Sequence, residues 1–113
     1  TRLSSYMFEN CTSLESFSIP DSITKISNNA FKGCTSLIKV FIPQTVINIT
    51  VVSATYSPFY GCSSGLKLYC EVASAPIKDS LIDDGWSKYW NYYDSTNTLS
   101  VTFGVTRSQY NSL

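Results

Sequence analysis

Histidine is absent from the 113 residues. With it go the commonest general base and both the Ser-His-Asp and Cys-His nucleophile arrangements. A basic excess is absent too: eight Lys and Arg balance eight Asp and Glu, and neither sign forms a run. A chain that grips nucleic acid or an anionic membrane electrostatically needs that excess, so neither partner is expected. Long apolar runs are missing as well. The stretch from Val46 to Val52 is broken by Asn48 and Thr50, and nothing approaches the roughly 20 residues of a spanning helix. No glycine-rich phosphate cradle and no EF-hand spacing occurs. Asp79, Asp83 and Asp84 are the only clustered carboxylates, and just before Gly85 they read as a solvated turn. Enzyme, cofactor and metal are all unexpected on these grounds.

What is present is a core and a rhythm. Apolar residues make up 43% and aromatics 14%, enough to argue against wholesale disorder. Ser, Thr, Asn and Tyr supply most of the polar surface, a composition that suits an exported protein. The segment Phe8-Glu9-Asn10-Cys11-Thr12-Ser13-Leu14-Glu15-Ser16-Phe17-Ser18-Ile19-Pro20 returns as Phe31-Lys32-Gly33-Cys34-Thr35-Ser36-Leu37-Ile38-Lys39-Val40-Phe41-Ile42-Pro43. Phe, Cys, Leu, the apolar pair and Pro all shift by one period of 23 residues. A fixed period of that length marks a solenoid, each repeat forming one coil.

Within a coil, Phe17 and Ile19, like Val40 and Ile42, alternate as a half-buried strand requires. Pro20 and Pro43 remove a backbone donor and end the strand. Ile23 and Ile26, then Val46 and Ile49, are expected to line the opposite wall. Asn28-Asn29 turns the chain toward Phe31 in the corner. A third coil starts at Phe59-Tyr60-Gly61-Cys62 after an insertion near 50–58, expected to bulge from the convex side. There Leu68 falls on Val40 and Cys70 on Ile42, and Gly65 replaces Leu37 and slims the coil. Thr1-Arg2-Leu3 falls one period before Thr24-Lys25-Ile26, so the chain reads as a piece of a longer array able to associate end to end.

The pattern F-x-x-C-T/S-S-L-x-x-V-x-I-P-x-x-I-x-x-I resembles the BspA-type leucine-rich repeats of bacterial and protist surface proteins. The run from Tyr60 to Glu71, then Pro76, Gly85-Trp86 and Trp90-Asn91, resembles that family's last repeats. The resemblance implies an α/β-type solenoid, mostly β, with a short parallel sheet, right-handed coils and little helix. It also implies a cell-surface or secreted location and attachment to a host or matrix protein. Residues 1–75 would form the coils and 76–113 a C-terminal aromatic and β cap.

Four cysteines in a short exported chain invite disulfides, but Cys11, Cys34 and Cys62 share one repeat position and Cys70 takes a core strand position. Side chains stacked on successive coils point the same way, whereas a disulfide needs facing Cβ vectors. A buried ladder of free thiols is expected, and without histidine a zinc site is not.

Two surfaces stand out as binding candidates. If Val40 and Ile42 face inward, Lys39 and Phe41 face outward. So do Ser16 and Ser18 on the first coil and Lys67 and Tyr69 on the third. Phe41 and Tyr69 would then be exposed anchors for a protein partner. The second candidate is Trp86-Ser87-Lys88-Tyr89-Trp90-Asn91-Tyr92-Tyr93, where exposed rings of Trp86, Tyr89 and Trp90 could stack on sugars. The competing reading of that run is a cap over the last coil, aided by a short helix over 76–84 and a strand at 99–105. A spacer with no partner is the third possibility.

Overall fold

The computed structural model describes residues 1–78 and 85–113. Among them, eight short strands alternate between two parallel sheets. β1 (Arg2–Leu3), β3 (Lys25–Ile26), β5 (Asn48–Ile49) and β7 (Gly85–Trp86) form one wall. β2 (Ser16–Ser18), β4 (Lys39–Ile42), β6 (Lys67–Cys70) and β8 (Ser100–Phe103) form the other. The chain is therefore a solenoid, mostly β with little helix. The opposite wall, expected only as apolar pairs, is a second sheet of two-residue strands.

Register follows the repeat. Ser16 pairs with Lys39, Lys39 with Lys67 and Lys67 with Ser100. Across the coil, Arg2 pairs with Lys25, Lys25 with Asn48 and Asn48 with Gly85. These pairings put Val40, Ile42, Leu68 and Cys70 inside against Ile23, Ile26, Val46 and Ile49, all buried. β4 stops at Ile42 because Pro43 brings no N–H, and the turn closes through Val46 N–H donating to the Pro43 carbonyl at 3.1 Å.

The corner is an aromatic ladder. Phe31 stacks on Phe8 at 5.3 Å between centroids and on Phe59 at 5.5 Å, with planes only 14° and 7° apart. Gly33 (φ 74°) and Gly61 (φ 81°) turn the chain beyond each Phe in the left-handed region. A Cβ on Gly33 would also run into the Asn10 side chain. Asn29 (φ 55°) is buried, and its amide donates to the Thr55 carbonyl at 2.9 Å.

That last bond explains a departure at the insertion. Instead of bulging away, 50–58 lies against the coil: Val51, Ala54 and Ser57 are buried, and a 3-10 turn forms at Ala54–Tyr56. Ser87 Oγ donates to the Val51 carbonyl at 2.9 Å and Ser57 Oγ to that of Trp90 at 3.3 Å, so the insertion is tied to the following coil. The third coil is not slimmed either. Leu66, one residue beyond Gly65, takes the role of Leu37: both are fully buried and both close a turn through their N–H groups.

The segment after residue 75 does more than cover the last coil. Its strands β7 and β8 continue both sheets in parallel register, so it forms a further rung. Of the helix expected over 76–84, the part beyond Lys78 lies outside the described residues, as does the turn at Asp79, Asp83 and Asp84. Residues 76–78 are extended, with Ile77 bridged to Trp86. The strand expected at 99–105 is present as β8. Leu99 before it is buried, Val101 is half-buried and Phe103 is exposed. One short helix, α1 (Arg107–Asn111), follows. Its N-cap is a full capping box, with Gln109 N–H donating to Thr106 Oγ1 and Thr106 N–H to Gln109 Oε1.

Candidate functional site

The outward face of the β2-β4-β6-β8 sheet carries the stripes that strand alternation dictates. Ser16, Lys39, Lys67 and Ser100 share one row, and Ser18, Phe41, Tyr69 and Thr102 share the next. Lys67, Ser100 and Thr102 are exposed, while Lys39 and Tyr69 are half-buried. Phe41 is not the exposed anchor that alternation alone suggests. It is fully buried although it points away from the core.

What covers it is the chain itself. After β8, the backbone turns at Gly104 and α1 crosses back over the sheet. The Tyr110 ring sits against Phe41 at 5.5 Å and against Tyr69 at 5.7 Å, the latter edge-on. Its hydroxyl donates toward the Lys39 carbonyl at 3.2 Å, with the Phe17 carbonyl at 3.5 Å. Burial pushes the Tyr110 phenol up to about 12, so it stays a proton donor at any ordinary pH. Lys39 Nζ lies 4.8 Å from the centre of the same ring and 3.4 Å from the Leu113 carbonyl.

Arg107 reaches further, back to the first coil. One guanidinium nitrogen donates to Ser18 Oγ at 2.6 Å. The other donates to the Ile19 carbonyl and to Asp21 Oδ1, both at 2.8 Å. The group also lies over Phe41, 4.8 Å from the ring centre. Arginine suits this place because its planar fork serves several acceptors and a ring face together. Neither Arg107 nor Tyr110 was a candidate from the sequence. Thr106 followed three residues later by Gln109 was the available signal, marking a helix start but not where that helix docks.

The tryptophans occupy the opposite kind of place. Trp86 is fully buried and Trp90 is 4% exposed, and their planes are tilted by 54° at 4.7 Å. A sugar platform needs exposed, roughly coplanar rings, so the pair does not form one. The cause is register: β7 sets Trp86 on Ile49, an inward position, and its indole N–H donates to the Val46 carbonyl at 3.0 Å. Tyr89 is half-buried and packs edge-on against Tyr92 at 5.5 Å.

All four cysteines are free thiols: Cys34, Cys62 and Cys70 are buried and Cys11 is half-buried. Cys34 Sγ donates to the Phe8 carbonyl at 3.0 Å, and Cys62 Sγ to that of Phe31 at 3.1 Å. Each thiol therefore satisfies a carbonyl one coil back. Burial raises Cys34 and pushes Cys62 and Cys70 up to about 12, which suppresses the thiolate that would react. A thiol reagent at pH 8 should titrate Cys11 alone in the native chain and all four in denaturant. Fewer than four in denaturant under non-reducing conditions would mean a disulfide.

Among the described residues, no group of three metal-ligating side chains converges, and no helix is long and apolar enough to cross a membrane. The family model for a BspA type leucine rich repeat region (6 copies) matches residues 1–68. That span takes in β1 through the start of β6 and covers more than half of the chain.

The chain belongs to the BspA-type leucine-rich repeat family.

No curated protein and no solved structure matches it. BspA-type repeats are generally non-catalytic and surface-associated. In this member the Phe ladder and the thiols Cys11, Cys34 and Cys62 fall within the matched span, and Cys70 lies two residues beyond it. The rung made by β7 and β8, and the helix that returns over the sheet, lie beyond it.

Proposed function

We propose that this BspA-type module is a non-catalytic adhesion unit that holds a host or matrix protein on the outer face of the β2-β4-β6-β8 sheet. One observation carries the reading: that face already accommodates a peptide segment, α1, through side chains the repeat presents outward. Phe41, Tyr69 and Lys39 make the contacts, and Lys67 lies beside them in the open. Aromatic rings flanked by cations on a rigid sheet are the composition of an interface hot spot. The buried Trp86 and Trp90 supply no comparable surface for sugar.

Immobilised purified extracellular-matrix proteins probed with the full chain provide the test. The double substitution Lys67→Glu/Tyr69→Ala is expected to weaken binding by about tenfold or more, equivalent to about 1.4 kcal/mol. Binding that is unaffected by both changes would move the site elsewhere. No binding to any of the matrix proteins would favour a spacer role.

A further inference from the structure

We propose that the outer sheet face recognises a short helical peptide carrying arginine and tyrosine three residues apart, and that residues 106–113 occupy this site in cis. The proposal rests on the protein-binding reading above and names the ligand class it would take. Its ground is the way α1 is held. Among the described residues, no backbone hydrogen bond joins the helix to the sheet; those it makes are its own turns. Of residues 106–113 only Tyr110 is buried and Arg107 half-buried, while the rest are exposed. The segment is docked by two side chains, Arg107 and Tyr110, and by the Lys39 ammonium, which donates to the Leu113 carbonyl at 3.4 Å.

Each anchor meets a formed receptor. For arginine the receptor is Ser18 Oγ, the Ile19 carbonyl, Asp21 and the Phe41 face. The polar groups come from β2 and the turn after it and the ring from β4, and Asp21 supplies the charge complement. For tyrosine the receptor is the slot between Phe41 and Tyr69, with the Lys39 carbonyl taking the hydroxyl and the Lys39 ammonium over the ring. The capping box at Thr106 and Gln109 shapes the helix locally, so a detached segment has a bias toward the same form.

The point of release is equally defined. Gly104 N–H donates to the Val72 carbonyl and Val105 N–H to that of Cys70, at 2.9 and 3.0 Å. The chain is thus pinned to the sheet up to Val105 and leaves it at Thr106. A tethered segment competes at an effective concentration set by its short linker, commonly in the millimolar range. A partner peptide must therefore outbind the tethered segment, and residues 106–113 act as a threshold against weak ligands.

The test uses the full chain and a fluorescent peptide with the sequence of residues 104–113. Arg107→Ala/Tyr110→Ala vacates both receptors without touching a residue of the two-sheet core. The labelled peptide should bind this variant at least about tenfold more tightly than the native chain. A peptide with its tyrosine replaced by alanine should lose that binding. Equal affinity for native and variant chains, or no binding to a variant whose circular dichroism is native, would overturn the proposal. A native dimer that dissolves in the double variant would overturn occupancy in cis and place the segment on a second copy. Matrix-protein binding separates the two readings. Tighter binding by the double variant supports residues 106–113 as competitor. Unchanged binding sinks the competitor role yet leaves the protein-binding face standing.

Discussion

Phe31→Ala should destabilise the chain by about 3–5 kcal/mol, the range for truncating a buried aromatic. Phe31 is fully buried, stacked between Phe8 and Phe59 and crossed by Phe17 at 5.6 Å. Its removal opens a gap in the middle of a ladder whose rungs are fixed by sheet register, so the neighbouring rings cannot slide in to fill it. Domains of this size are stable by only about 5–15 kcal/mol, so this one change uses up a large share. In urea, with a slope of about 1–3 kcal/mol per molar, the midpoint should fall by roughly 2 M. Phe8→Ala, at a half-buried ring, should cost clearly less. Equal losses at the two positions would show that stacking along the corner is not what holds the coils in line.

Trp86→Ala is expected to rival it. Trp86 fills the inward position of β7 where Ile26 and Ile49 stand in the preceding coils, and it packs on Trp90. Substitution removes the largest fully buried side chain and leaves the Val46 carbonyl without its indole partner. The cavity accounts for about 3–5 kcal/mol and the orphaned acceptor for about 1–3 more. Trp86→Phe separates the two, keeping most of the ring while losing the donor, and should cost only the smaller amount. Thermal melts give the comparison directly. Should Trp86→Ala melt like the native chain, β7 would not be part of the cooperative unit.

Much of the fold was readable in the primary structure because adjacent coils repeat the same local problem. Phe8, Phe31 and Phe59 recur at one position, so the corner ladder follows from spacing alone. Pro20 and Pro43 mark where strands end, and Ile23, Ile26, Val46 and Ile49 mark the second wall. Alternation also placed Phe41 and Tyr69 correctly on the outward face. It failed only on exposure, because what lies over a sheet face is not encoded in the strand beneath it.

The misses share a cause. Leu66 replaces Leu37 by slipping one residue past Gly65, a change the backbone absorbs but a fixed register cannot anticipate. Trp86 reads as one member of an aromatic run until β7 pairs with β5, because the insertion and the longer stretch of sequence before Gly85 hide the repeat interval. The 50–58 segment looks like a loop until Asn29, Ser87 and the Trp90 carbonyl are seen to bind it.

The sequence by itself determined the coil: its period, its inward residues, its aromatic corner and its free thiols all follow from equivalent positions stacking at strand spacing. The tertiary structure alone decided which surface is open. Arg107 meets Ser18 across 89 residues and Asp21 across 86, an encounter no local pattern specifies. It depends on the summed length of four rungs and on a chain that turns back at Gly104. Stacking is a nearest-neighbour property and leaves a period in the sequence; closure of residues 106–113 over the sheet is a property of the whole array and leaves none.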